Sequence, residues 1–86
     1  MPRLNWTTIR GDISEALDEL QKLDARLKVR DYPNAAEFQV AMQHAYHHLN
    51  FAWNARHVKT SRYANLTDAD FEKWGALPKD LQWDEE

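Results

Sequence analysis

Residues 38–55 constrain this chain most: eighteen positions pass without an Asp, Glu, Lys or Arg. Seven of them are polar (Gln39, Gln43, His44, His47, His48, Asn50 and Asn54), which excludes a lipid-spanning helix. Placed at about 100° per residue, Phe38, Ala41, Met42, Ala45, Leu49, Ala52 and Trp53 gather on one side. Val40, His47, Phe51, Ala55 and Val58 gather roughly opposite, flanked by His44 and His48. A helix that is apolar on two sides must be covered on two sides. One neighbouring helix cannot do that.

The spacing of prolines and glycines sets the elements. Pro2, Gly11, Pro33, Gly75 and Pro78 leave two long uninterrupted intervals, which predict two long helices. The first, over about 8–30, carries the stripe Ile9, Ile13, Ala16, Leu17, Leu20, Leu23, Leu27 and starts at Thr8 or at a capping box of Asp12 with Glu15. Asp18 with Lys22 and Asp24 with Lys28 stand at i,i+4 on its solvated side. Asn34 and Glu37 form a second capping box, and no breaker appears before Ser61, so helix 2 is expected over about 35–61. The short connection between them makes the pair an antiparallel hairpin, with Leu20 and Leu49 in its core. Thr67 and Asp70 cap a third helix over about 68–74, stopped by Gly75, and residues 84–86 form a frayed acidic tail.

An all-α single domain over 1–86 follows. At 10.2 kDa its core is small. Dimerisation would repair that by closing two hairpins into a four-helix bundle. The second face of helix 2 (Val40, His44, His47, His48, Phe51, Ala55, Val58) is the expected dimer or partner interface. The C-terminal segment, with Phe71, Trp74, Leu77, Leu81 and Trp83, is the competing cover for it.

Composition excludes more than it assigns. The net charge of −3 argues against a general nucleic-acid binder. No cysteine means no disulfide and no thiolate metal site, and two glycines leave no phosphate-binding loop. No nucleophile, base and acid can be nominated together, so no enzyme is expected. The N-terminus lacks the apolar run of a signal peptide, which makes the cytoplasm the expected compartment.

His44, His47 and His48 are the only conspicuous constellation, and His44 and His48 stand at a spacing that lets two imidazoles reach one ion. Two ligands fall short of the four a closed zinc site needs, so neither metal nor cofactor is expected. Arg3, Arg10, Arg56, Lys59 and Arg62 gather at one end of the hairpin as a candidate patch for an anionic partner. The expectation is a small non-enzymatic interaction, adaptor or regulatory protein acting as a homodimer with an unidentified protein partner. The alternatives are a metal-binding helical protein using His44 and His48, and, more weakly, a nucleic-acid accessory protein using the basic end of helix 2.

Overall fold

A computed structural model describes residues 3–81 as four helices: α1 (Trp6–Lys28), α2 (Ala35–Asn54), α3 (Thr60–Ala64) and α4 (Asp68–Gly75). No strand occurs among the described residues. The expected tail at 84–86, and Trp83, lie outside them.

α1 begins two residues before its expected start. Asn5 is the N-cap, accepting from the Thr8 N–H at 3.3 Å. Asp12 does not cap; it sits inside the helix and is buried. At the other end Arg30 takes φ 59°. The Asp31 N–H then reaches the Arg26 carbonyl at 2.9 Å and the Arg30 N–H reaches Leu27 at 3.1 Å. This double closure satisfies the last carbonyls and turns the chain towards α2. The expected ion pairs form, Lys22 with Asp18 at 3.0 Å and Lys28 with Asp24 at 3.1 Å.

α2 opens on the expected box: Asn34 Oδ1 accepts from the Glu37 N–H at 2.8 Å, and Glu37 Oε1 from the Asn34 N–H at 3.0 Å. It stops at Asn54, well short of residue 61. The reason is tertiary. The Asn5 N–H donates to the Arg56 carbonyl at 2.7 Å, and the Asn5 amide donates to Val58 O at 2.8 Å and Thr60 Oγ1 at 3.1 Å. The start of α1 thus takes over the carbonyls that a longer α2 would have used. Arg56 also donates to the Trp53 carbonyl at 2.7 Å, closing the end of the helix.

The helices of the hairpin meet along a seam of small residues. Ala16 on α1 and Ala41, Ala45 and Ala52 on α2 are buried. Leu20 and Leu49, expected in the core, are each 41% exposed. The larger apolar cluster lies elsewhere, where Phe51 (3% exposed), Ala55 and Trp74 (6%) pack with Val58, Tyr63 and Leu66. α4 carries Trp74 onto α2 and is capped as expected, with Thr67 Oγ1 accepting from the Asp70 N–H at 3.2 Å and Asp70 returning the bond at 2.9 Å. Gly75 sits against α2: a Cβ there would make ordinary contact, 3.4 Å from both His47 Nδ1 and Phe51 Cε1.

The segment after α4 is tied down by polar groups of α2. The Asn50 amide donates to Gly75 O at 2.9 Å, and the Asn54 amide to Trp74 O at 2.8 Å and Ala76 O at 2.7 Å. The Trp53 indole donates to Asp80 Oδ1 at 2.9 Å, and Arg56 lies 3.3 Å from Asp80 Oδ2. The Trp53 bond, with help from Arg56, holds the Asp80 carboxyl below its ordinary value. Asp70 is lowered likewise, chiefly by the Thr67 N–H and also by Arg62. A lowered folded pKa gives stabilisation that is complete above the unfolded value of about 3.9 and fades as pH falls through the folded one. Trp53 fluorescence should therefore report weakening of its contact with Asp80 as pH falls below about 4. In Asp80→Asn that acid step should vanish from the titration.

Candidate functional site

α1 places Asp12, Glu15 and Glu19 along one flank, and the short loop sets them level with His44 and His48 of the antiparallel α2. Asp12 is 6% exposed and its two oxygens are both engaged. Oδ1 lies 2.9 Å from His48 Nδ1, and Oδ2 accepts from the Tyr63 hydroxyl at 2.8 Å. Glu19 Oε2 lies 3.0 Å from His44 Nδ1. The two Nε2 atoms face each other at 3.1 Å.

Carboxylates accept, so each Nδ1 carries the proton. Each Nε2 is then the ring's other nitrogen, and two bare lone pairs at that distance would repel. A positive centre between them, a proton or a cation, removes the conflict. Glu15 completes the group: one of its carboxylate oxygens and one nitrogen of each histidine lie within 4.8 Å of one another. Glu15 and His44 are exposed and His48 half-buried, so the group opens to solvent.

The phenol of Tyr63 is held well above its usual range, first by burial and then by its bond to Asp12. His47 meets the pair through the edge of His48, ring centres 5.3 Å apart, and otherwise packs on Phe51 at 4.5 Å and Phe71 at 4.9 Å. Burial pushes its pKa down, His48 and His44 add to the fall, and Asp12 opposes it.

The residues expected to form one interface are distributed over three environments. Phe51, Ala55 and Val58 are covered by the chain's own C-terminal helices. His44 and His48 bond to α1. Val40 is left uncovered, at 63% exposed. The chain leaves a different band bare: Ile13, Leu17 and Leu20 of α1, with Tyr46 and Leu49 of α2. Leu20, Met42, Ala45, Tyr46 and Leu49 line one shallow hollow, which continues into a cleft of about 540 Å³ under Tyr46, Leu49, Trp53, Leu77, Pro78 and Leu81.

Of the five basic residues at this end, Arg56 and Arg62 are engaged internally. Arg56 stacks on Trp53 at 3.9 Å and pairs with Asp80, while Arg62 pairs with Asp70. Arg3 shares the neighbourhood of Lys59 in a surface hollow lined also by Trp6 and His57, and His57 Nδ1 lies 3.2 Å from Arg3 O.

Motif and periodicity alone do not name Asp12, Glu15, Glu19 and Tyr63 as partners of the histidines. A signal for two of the acids is nonetheless present in the short loop: residues equally far from it on α1 and α2 must meet, and Glu15 and Glu19 are the equidistant counterparts of His48 and His44, with Asp12 about one turn further out.

The fold and the site define an all-helical hairpin protein with a histidine–carboxylate array on one flank and an apolar band on another. Comparison with protein-family models, curated proteins and solved structures found no match.

Proposed function

We propose that this protein is a non-enzymatic interaction module that works as a homodimer, two hairpins closing their apolar bands into a four-helix bundle. The observation that carries this reading is the bare band of Ile13, Leu17, Leu20, Tyr46 and Leu49 along the outer edge of the alanine seam. The band also combines both long helices side by side, the arrangement a second hairpin can match about a two-fold axis. No helix among the described residues is long and apolar enough to cross a membrane.

Size exclusion coupled to light scattering should give a dimer at concentrations of tens of micromolar. Leu49→Asp and Leu20→Asp should each give a folded monomer, because both side chains are already 41% exposed in the single chain. A wild-type monomer overturns the proposal. A dimer that survives both substitutions places the contact on another face and overturns it equally.

A further inference from the structure

We propose that Glu15, His44 and His48 form a binding site for one first-row divalent transition-metal ion of the zinc(II) class, within a single chain. This goes beyond the dimer reading and does not depend on it.

Three observations converge. The two Nε2 atoms stand 3.1 Å apart. Bonds of about 2.0–2.1 Å to a shared ion put neighbouring donors about 3.0–3.4 Å apart, so the imidazoles already hold the required separation. The third donor is a carboxylate: Glu15 approaches from the other helix, within 4.8 Å, and its exposed side chain can close the rest by a rotamer change. Lastly, both rings are aimed from behind. His48 donates its Nδ1–H to Asp12 and His44 donates its own to Glu19, at 2.9 and 3.0 Å. Histidines that bind metals are typically oriented in this way, by a carboxylate on the far nitrogen, which fixes the tautomer and strengthens the ligand. Asp12 is itself held by Tyr63 at 2.8 Å, so the outer shell extends to a third helix.

The donor set selects the ion. Two imidazoles and one carboxylate suit zinc, cobalt, nickel or iron(II), whereas magnesium and calcium prefer oxygen alone. Three protein donors leave coordination positions on the solvent side for water or a small anionic ligand. That is an open site rather than a closed structural one.

The test uses the full chain stripped with chelator and titrated with zinc(II) by calorimetry, with cobalt(II) absorbance as the spectroscopic check. One ion per chain is expected, with a Kd at or below about 10 μM. Glu15→Gln and His44→Ala should each weaken binding at least about tenfold, and Glu19→Gln, which touches no ion, should weaken it by about 10–100-fold through the ring it orients. His57→Ala, at the far turn, should change nothing, and excess magnesium should not compete. The same titration in Leu49→Asp should give the same stoichiometry, which separates this site from the dimer contact. Circular dichroism confirms folding of each variant, and Glu15→Gln, at an exposed position, is the decisive substitution. No uptake at about 100 μM zinc overturns the proposal. So does binding unaltered by both Glu15→Gln and His44→Ala, or one ion per two chains.

Discussion

Phe51→Ala should lower the unfolding free energy by about 3–5 kcal/mol, the usual loss when a buried aromatic ring is emptied. Phe51 is 3% exposed and stands at the centre of the aromatic cluster, 6.2 Å from the Trp74 ring, 6.1 Å from Tyr63 and 4.5 Å from His47. Removing it strips α2 of the surface that receives α4, and no other large side chain among the described residues is buried as deeply. Leu20→Ala should cost far less in the monomer, since the leucine is 41% exposed before the change. Any further loss from Leu20→Ala should grow with protein concentration, as expected of a residue at a dimer contact. Urea melts of the two variants, at two concentrations, decide the matter. A larger concentration-independent loss from Leu20 than from Phe51 would show that the hairpin flank, not the aromatic cluster, is the core.

Asp12→Ala should destabilise by about 2–6 kcal/mol, since each of two donors left without its acceptor costs about 1–3 kcal/mol. The carboxylate accepts from two helices other than its own, through His48 and Tyr63. Truncation leaves both donors facing a gap at the junction of α1, α2 and α3. Tyr63→Phe removes only one of the bonds and should cost about 1 kcal/mol. Thermal melts of Asp12→Ala, Tyr63→Phe and the double variant measure the coupling. Additive losses would mean that the two bonds are independent. A loss from Asp12→Ala no larger than that from Tyr63→Phe would mean that water takes over both donors.

Features settled by neighbours in sequence were legible. The boxes at Asn34 with Glu37 and at Thr67 with Asp70 involve groups three residues apart, and both form. The acid-first pairs on α1 are equally local. The end of α2 was not legible, because the groups that stop it belong to Asn5, more than fifty residues earlier. Nor could periodicity rank the two apolar faces of α2. It detects that Phe51 and Leu49 both recur at helical spacing, but which is buried depends on whether α4 or α1 supplies the larger partner. α1 supplies alanine at the contact, and α4 supplies Trp74. Asp12 illustrates a further limit. Its spacing to Glu15 satisfies the local pattern of a cap, while its burial and its two distant donors give it another role.

The alanine seam has a consequence for how such a protein can change over time. Interaxial distance between packed helices is set by the side chains at the line of contact, within about 8–10 Å. Ala16 and Ala45 are buried between α1 and α2, small side chains at the contact line that let helices approach closely, and the bonds from His44 to Glu19 and from His48 to Asp12 span that same gap. The seam is therefore a gauge block for chemistry it never touches. Drift of a methyl group or two at either alanine would retune every donor spacing on the flank at once, while leaving each polar residue of the array unchanged.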